Sequence, residues 1–346
     1  AIEAQRELFF NAEGKGGRSA LSSPHTGTFR RSDLAARLDA FYAVSPGNRF
    51  APTMLEEYGG CPFRYFLRRH LRLAPLELPE RELAAKDEGS LVHEVLRACG
   101  ERLAREGRFP VTDLAAALAV VAEEAQAVFA RWERDRFTGG PLLWEVKQEK
   151  LLAILGEWLR GEACETSTLL PRLFEHTIED LEVEDGESAR FFLTGKIDRV
   201  DVAEASGSVR VVDYKLSGNS QKYAGFLKKE ALGVTSFQMP VYLLAAAREL
   251  ARSCPIPFDH FIARYWLLKR GGCRDRDFRT AKEDFTGFFA TSRDERAAGG
   301  DGNFLNRLCA TVRSVRQGDF QITPRGCQQC DFTAVCRYVE TFAPEA

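Results

Sequence analysis

Two groups of cysteines at opposite ends of the chain constrain its fold more than any other feature of the sequence. Cys61 precedes every other motif with evident chemistry, and the chain closes on Cys327, Cys330 and Cys336. A C-x2-C pair suits two ligands of one metal centre, and the third thiolate follows five residues later. With Cys61 as the fourth ligand, the two ends of the chain must meet at one centre.

Four thiolates suit both a tetrahedral zinc ion and a [4Fe-4S] cluster, and the ligand spacing alone does not separate the two. Nine cysteines are present, and an odd number with a C-x2-C pair fits a reducing cytoplasm better than a disulfide framework. The remaining five are expected to be small buried hydrophobic residues or isolated thiols: Cys99, Cys164, Cys254, Cys273 and Cys309.

The composition is that of a globular protein that does not enter a membrane. The chain has 346 residues, 45% of them hydrophobic, which predicts one large domain or two intimate ones. No apolar run approaches the length that spans a bilayer. Because the net charge is −2, any nucleic-acid binding must depend on local basic patches and metal ions. One patch, Arg64, Arg68 and Arg69, follows Cys61 at helical spacing and is either a DNA contact or a solvated helix face.

The periodicity of apolar residues divides the chain into segments. Residues 1–50 are rich in Gly, Ser and Thr and are predicted to be a linker or an N-terminal extension. Three helical patterns follow from about residue 87 to 169, and then a period of two predicts three strands from 173 to 214. A helix at 236–250 and a strand at 260–268 come next. This order of elements predicts an α/β core.

Two carboxylates and one lysine fall on adjoining predicted strands. Asp213 and Lys215 are two residues apart, so their side chains share one face of a strand. Asp198 meets them if its strand pairs with the next. Two acids suit a hard divalent cation, and the amine can position water or stabilise the charge that develops on phosphorus.

Two helical positions extend this group. His93 lies one turn after Gly89 and can serve as a further metal ligand, although a histidine on a helix is more often structural. Gln238 and Tyr242 are one turn apart on the later helix and share a face. Taken alone, these two would be ordinary polar positions of an amphipathic helix.

Four motifs occur in a fixed order between the cysteines: Gly89-x3-His93, Gly195-x-Ile-Asp198-Arg-Val-Asp, Asp213-Tyr-Lys215 and Gln238-x3-Tyr242. The set resembles the PD-(D/E)XK nuclease superfamily, most closely its iron-sulfur branch, the RecB/AddB-type nucleases. The resemblance covers about residues 51–340. Asp213 stands where many relatives carry Glu, a substitution that the family pattern allows.

The resemblance implies a fold and a division of the chain. The expected fold is a restriction-endonuclease-like mixed sheet flanked by helices, with a helical insertion and a C-terminal Fe-S clasp. The implied parts are the clasp at 51–75 and 321–340, a helical part at 76–170, a catalytic core at 171–270 and a second helical part at 271–320. Residues 1–50 would then follow a helicase-like region, as in AddB-type proteins.

The resemblance also implies roles for individual residues. His93, Asp198, Asp213 and the main-chain carbonyl of Tyr214 would bind Mg²⁺ or Mn²⁺. Lys215 would position the attacking water, and Gln238 and Tyr242 would support the site and the scissile DNA strand. The four cysteines would hold a [4Fe-4S] cluster, which the likeness favours over zinc.

The function implied is that of a metal-dependent deoxyribonuclease, an exonuclease directed at single strands in double-strand-break repair and recombination. DNA and a partner subunit of a helicase-nuclease are the expected partners. One alternative is a stand-alone Fe-S exonuclease like those of CRISPR adaptation, against which the long helical part counts. Another is a DNA-binding Fe-S module with an inactive nuclease site, against which the intact Asp198, Asp213 and Lys215 count.

Overall fold

The structure is a computed structural model, and it describes residues 32–42, 49–75, 82–165, 167–184, 190–251, 260–270, 278–279, 302–323 and 327–336. Cys254, Cys273, most of the expected N-terminal extension and most of the second helical part lie outside these ranges. Within them, no helix combines the length and the apolar character needed to cross a bilayer.

The first half of the described chain is mainly helical. Its elements are α1 (Ser32–Phe41), β1 (Arg49–Phe50), α2 (Pro52–Gly60), α3 (Pro62–Tyr65) with a π-helical turn (Phe66–His70), α4 (Ala85–Arg105), α5 (Leu114–Asp135) and α6 (Pro141–Ala163). The second half contains β2 (Leu170–Glu184), β3 (Arg190–Ala203), β4 (Ser208–Lys215), α7 (Ser220–Phe226), α8 (Gln238–Ala251), β5 (Phe261–Leu267), β6 (Phe278–Arg279), α9 (Phe304–Gln317) and α10 (Thr333–Cys336).

The strands form one mixed sheet. Its order is β1-β3-β4-β5-β6, and β2 pairs with β3 outside this path. β3 runs antiparallel to β2 and β4, whereas β4 and β5 are parallel and are connected through α7 and α8. β4 is rich in valine and buried over nearly its whole length, as expected of a central strand. The predicted α/β class with a mixed sheet between helices is confirmed.

Each face of the sheet carries its own hydrophobic core. One core joins the sheet to α2, α8 and α9, and it includes the buried Leu55, Leu243 and Phe304. The other joins it to α4, α5 and α6 and contains Trp158 and Trp266. Elements on both faces can therefore deliver side chains to one edge of the central strands.

The three long helices of the second core begin at recognisable signals. The Asp113 carboxylate accepts a hydrogen bond from the main-chain N–H of Ala116 at 3.0 Å and caps α5. Pro141 occupies the first turn of α6, where its missing N–H costs nothing. Asp87 and Glu88 lie in the first turn of α4, where negative charge is favoured. The helix that carries His93 is therefore well defined by its own sequence.

The end of the expected N-terminal extension folds against the sheet. Leu38 and Tyr42 at the end of α1 and Phe50 of β1 are buried in the first core. β1 pairs in parallel with β3 at Phe192 and Leu193. The described part of this segment is thus an edge of the domain.

Candidate active site

The candidate active site lies where β4 separates from β3. The antiparallel ladder between them ends with Arg199 opposite Val212, and one further residue in that register brings Asp198 alongside Asp213. Beyond this point the main-chain N–H of Tyr214 donates to Oδ2 of Asp198 at 2.7 Å. A carboxylate thus replaces the missing strand partner, and helices from both faces reach the gap.

One imidazole and two carboxylates line one end of this site. Nδ1 of His93 lies 3.2 Å from Oδ1 of Asp198 and 3.5 Å from Oε1 of Glu175. One ligand atom of each residue lies within 4.8 Å of the others. Gly89 lines the same cleft, and no atom lies within 4 Å of the position its Cβ would take. The glycine of the first motif therefore leaves the approach to His93 open.

The charges of this group compensate one another. Burial by itself would lower the pKa of His93, but its hydrogen bonds to Asp198 and Glu175 raise it to about 10. Burial would raise the pKa of Glu175, yet His93 and Lys196 lower it below its ordinary value. The surroundings therefore favour positive charge at the position that His93 occupies, and a bound cation supplies such charge.

Glu175 is absent from the residues predicted from the sequence. It lies on β2, whose pairing with β3 contains two register shifts, and its φ of 48° is in the left-handed region. Residues other than glycine seldom adopt this conformation, and such positions are enriched at functional sites. Nothing in the local sequence marks a turn there, so only the fold brings Glu175 to His93.

The opposite end of the site is a network around the lysine. Nζ of Lys215 lies 2.6 Å from Oδ2 of Asp213 and donates to Oε1 of Gln238 at 3.2 Å. Nε2 of Gln238 donates to Oδ1 of Asp213 at 2.7 Å and to the hydroxyl of Tyr242 at 3.2 Å. At Gly195, a Cβ would lie 3.1 Å from Cε1 of Tyr242. The glycine of the second motif therefore lets the tyrosine ring pack closely on β3.

Burial shapes the ionisation of this network. It raises the pKa of Asp213 above the ordinary value; the charge of Lys215 opposes this shift, and that of Asp198 adds to it. Burial would lower the pKa of Lys215, but Asp213 raises it, so the amine stays charged. Burial also raises the pKa of Tyr242, so its hydroxyl keeps its proton. Two mutually repelling carboxylates next to each other favour a bound cation.

Tyr214 can take part only through its main chain. Its hydroxyl accepts a hydrogen bond from Nη1 of Arg199 at 3.0 Å, and its ring lies in the core formed with α4 to α6. The predicted role of its carbonyl oxygen as a metal ligand stays a prediction.

Glu56 on α2 is a second residue that the sequence prediction missed. Its Oε1 accepts hydrogen bonds from the main-chain N–H groups of Phe237 and Gln238, each at 3.0 Å. These donors at the start of α8 have no partner within the helix, and negative charge is favoured there. Burial raises the pKa of Glu56. Glu56 thus holds the turn that presents Gln238, and the two residues are too far apart in sequence for any local pattern to link them.

The four cysteines predicted as ligands line one pocket. Cys61 lies between α2 and α3, and Cys327, Cys330 and Cys336 lie in and around the turn that leads to α10. None of them is in a disulfide. Burial raises the pKa of Cys327, and the neighbouring Cys61 and Cys330 add to that shift. The fold therefore brings together thiols from the two ends of the domain.

The walls of this pocket suit an anionic centre. Leu67 and Phe332 provide apolar surface, and Arg64 also lines the pocket. The Nε of Arg64 is buried and has no hydrogen-bond partner among the described residues. An unused guanidinium donor beside thiolates can stabilise the negative charge of a metal-thiolate centre.

Aromatic stacking joins the same two ends of the chain. The ring centroid of Phe320 lies 6.2 Å from that of Tyr65, 5.1 Å from that of Phe66 and 5.2 Å from that of His70. The hydroxyl of Tyr58 donates to the carbonyl oxygen of Asp319 at 2.5 Å. Protein contacts alone therefore hold the ends near each other.

The arginines that follow Cys61 are in ion pairs. Arg68 contacts Glu57 at 3.1 Å and Asp331 at 2.8 Å, and Arg69 contacts Glu57 at 2.9 Å. These pairs link the end of α2 and the turn after α3 to the C-terminal cysteine segment. A role for Arg64, Arg68 and Arg69 as DNA contacts stays a prediction, and acidic partners compensate the charge of Arg68 and Arg69.

Comparison with known proteins agrees with this geometry. Residues 49–337 match the family model of the PD-(D/E)XK nuclease superfamily. Three similar proteins are each one of the subunits of an ATP-dependent helicase/deoxyribonuclease. The chain is 31% identical over 65% of its length to that of Moorella thermoacetica, covering 20% of that protein. It is 26% identical over 76% of its length to that of Carboxydothermus hydrogenoformans, covering 25% of it. The counterpart from Desulforudis audaxviator is 30% identical over 63% of the chain, which covers 19% of that relative.

The chain spans about a fifth to a quarter of the length of each of these relatives. The family match, by contrast, covers most of the chain and includes both cysteine groups. All four motifs lie within the matched range, on the strands and helices that form the site. The chain belongs to the PD-(D/E)XK nuclease superfamily.

Proposed function

We propose that the chain is the nuclease part of an AddB-like protein of a helicase-nuclease, and that it hydrolyses phosphodiester bonds of DNA. The observation that carries this proposal is the contact of Lys215 with Asp213 beside Asp198, at a gap in the sheet open to a cleft. The three relatives combine helicase and deoxyribonuclease in their names. We assign it to the cytoplasm, in double-strand-break repair and recombination, with DNA and a second helicase-nuclease subunit as partners.

Mg²⁺ or Mn²⁺ is the proposed cofactor of the cleavage site. Its ligands would be His93, Asp198 and Asp213, the main-chain carbonyl of Tyr214 and, from the structure, Glu175. Carboxylates predominate in this donor set, and they suit these hard cations. A divalent ion supplies Lewis acidity, lowers the pKa of bound water and neutralises charge on the phosphate.

The protein groups around this position have separate tasks. Lys215, held by Asp213 and Gln238, would hold the attacking water and offset the negative charge that develops on the phosphate oxygens. Gln238 bonds to Asp213, Lys215 and Tyr242 at once, so it would fix the orientation of the carboxylate and the amine. Tyr242 keeps its proton and can donate it in a hydrogen bond to the scissile strand.

Cleavage assays with a matched control test this function. Asp213→Ala and Lys215→Ala should each remove Mg²⁺- or Mn²⁺-dependent digestion of labelled single-stranded DNA, without lowering the midpoint of thermal unfolding by more than a few degrees. Lys150→Ala, at an exposed position of α6, should cleave like the unmodified chain. Cleavage retained in either active-site variant would reject the assignment. Digestion of linear but not circular strands would support the proposed exonuclease action.

A [4Fe-4S] cluster is the proposed occupant of the cysteine pocket. The support is the donor set of four free thiols, the apolar walls and the unused donor of Arg64. Since Cys61 and Cys336 are about 275 residues apart, a cross-link between them would restrict the unfolded chain by about 5 kcal/mol if the arithmetic for disulfides applies. The cluster would therefore act as a clasp on the domain.

Anaerobic purification tests the cluster. The absorbance spectrum and the iron, sulfide and zinc contents should identify four irons per chain. Cys61→Ser should lose the brown chromophore as fully as Cys330→Ser, because each substitution removes one ligand of the same centre. Cys164→Ser is the control, since that thiol is exposed and lies outside the pocket. A full complement of zinc without iron would replace the cluster by a structural zinc ion.

The two alternative functions are not favoured. All three relatives reported above are helicase-nuclease subunits, which differ from a stand-alone exonuclease of CRISPR adaptation. An inactive DNA-binding module is expected to lack part of the catalytic group, whereas Asp213 and Lys215 are present and in contact.

A further inference from the structure

The cleft beside the metal-ligand group continues past the catalytic residues onto the helical part. It has a volume of about 620 Å³, within the range of ligand sites. His93, Glu175 and Asp198 line one end, and Arg97 of α4 and Arg136 at the end of α5 line the same space. One wall therefore holds the candidate cleavage chemistry, and another carries two guanidinium groups.

Arg97 is placed by the helix that carries the active-site histidine. The two residues are four apart on α4, so they project from the same face at a separation of one turn. Arg97 is 43% exposed, and its ion pair with Glu101 is long, at 3.9 Å. An exposed pair of this kind contributes little, so the guanidinium is available to a ligand in the cleft.

Arg136 is held in place without an acidic partner. Its guanidinium lies 4.3 Å from the ring centroid of Trp132. Trp132 is itself 2% exposed and so forms a fixed support. Within the described ranges no carboxylate pairs with Arg136. The cation is thus oriented on an aromatic face and keeps its N–H donors for another group.

The acidic residue nearest to these arginines is already compensated. Glu94 lines the cleft, but its Oε2 accepts a hydrogen bond from Nε1 of Trp132 at 2.5 Å. Arg131 forms an ion pair with the other carboxylate oxygen. Glu94 therefore anchors α5 to α4, and its charge does not cancel those of Arg97 and Arg136.

We propose that Arg97 and Arg136 form a phosphate subsite, which binds the backbone of the substrate DNA strand next to the scissile phosphate. The inference rests on the proposed nuclease function and adds the path of the strand, which would run over α4 and the end of α5. Guanidinium groups suit phosphate because they present paired donors in a fixed plane. In this respect the subsite differs from Arg68 and Arg69, which face Glu57 and Asp331.

The salt dependence of DNA binding tests the subsite directly. The probe is a fluorescent oligothymidylate, bound to the full chain carrying Asp213→Ala so that it is not cleaved. Each phosphate contact on a single strand adds about 0.7 to the slope of log affinity against log salt. An Arg97→Gln, Arg136→Gln double variant should therefore lose about 1.4 of this slope. An Arg97→Lys, Arg136→Lys variant keeps the charges and should retain the slope.

The matched control is Arg134→Gln, Arg160→Gln, because both side chains are more than half exposed and lie outside the cleft. Its slope should equal that of the parent. In the cleavage-competent chain, the Gln double variant should raise KM for the strand with kcat nearly unchanged, since the subsite binds a phosphate that does not react.

Separate outcomes distinguish the subsite from the nuclease function. If the unmodified chain cleaves DNA but the Gln double variant keeps the parental slope and KM, the subsite is wrong and the nuclease function stands. If the unmodified chain neither cleaves nor binds single strands with either metal ion, the proposed function itself fails. Far-UV circular dichroism of each variant confirms that a lost slope reflects lost charge and not unfolding.

Discussion

Two groups of charged residues share β3 and β4, and they differ in how completely their charges are paired. Asp198 and Asp213 belong to the candidate active site. Arg199, Asp201 and Arg210, beside them in sequence, form a network on the face covered by α4 to α6. Arg199 is 1% exposed and Asp201 is fully buried.

The buried network is closed. Arg199 forms ion pairs with Glu162 of α6 and, at 2.5 Å, with Asp201. Arg210 contacts Asp201 at 2.7 Å and Glu165 at 2.8 Å. Every charge within it has a partner of opposite sign, as buried charges require. The network therefore fastens the end of α6 to the sheet.

The active-site group is open by comparison. Asp198 and Asp213 lie side by side, and the proximity of Asp198 adds to the raised pKa of Asp213. A second acid, Glu175, adds to the negative charge near His93. The contrast teaches that identical residue types on neighbouring positions serve stability where they are paired and cation binding where they are not.

The largest predicted effect concerns the closed network. Arg199→Met should lower the free energy of unfolding by about 3–5 kcal/mol, because Glu162 and Asp201 would stay buried without their cation. Chemical denaturation measures this change. Arg160→Met is the control, since its ion pair with Glu157 is about half exposed and should contribute less than about 1 kcal/mol. Equal stability of the two variants would show that the network does not differ from surface charge.

The next effect concerns the open group. Glu175→Gln should reduce cleavage about 10- to 100-fold, as loss of groups that tune a metal site does, and raised Mg²⁺ should restore part of the rate. The free energy of unfolding without added metal should change far less than in Arg199→Met. Glu179→Gln, an exposed position on the same strand, should cleave normally. A loss of rate that no metal concentration relieves would argue against Glu175 as a ligand.

Glu56 is intermediate between the two groups, since it is buried beside the site but serves a helix terminus. Glu56→Ala should cost about 1 kcal/mol of stability, in the range of lost helix caps, and should lower kcat because Gln238 is less well held. Glu133→Ala, at an exposed position of α5, is the comparison in the same two assays. An effect on KM alone would place Glu56 in substrate binding instead.

The smallest effect is expected at the arginines after Cys61. Arg68→Gln should change the free energy of unfolding by less than about 1 kcal/mol, because the Arg68 side chain is 41% exposed. The slope of log DNA affinity against log salt should also change less than in the Arg97, Arg136 variant. A slope that falls by about 0.7 would show that Arg68 contacts a phosphate as well.

Local patterns in the sequence predicted most of the fold. The helices at 85–105, 114–135 and 141–163 and the strands at 190–203 and 208–215 follow from apolar periodicity and from turn and capping residues. The residues at 32–42 and 49–50 were expected in a linker or extension, yet they fold on the sheet. Their few apolar residues carry no periodic signal, and burial by distant elements decides their structure.

The sequence by itself determined the residue types of the site and their local spacing. Asp213 and Lys215 share a face because side chains alternate on a strand, and Gln238 and Tyr242 share one because a helix repeats every 3.6 residues. Only the tertiary structure decided that Glu175 joins His93, that Glu56 holds α8, and that Arg97 and Arg136 line the same cleft. These contacts depend on strand register, helix packing and main-chain conformation, which bring together residues far apart in sequence and leave no periodic trace in it.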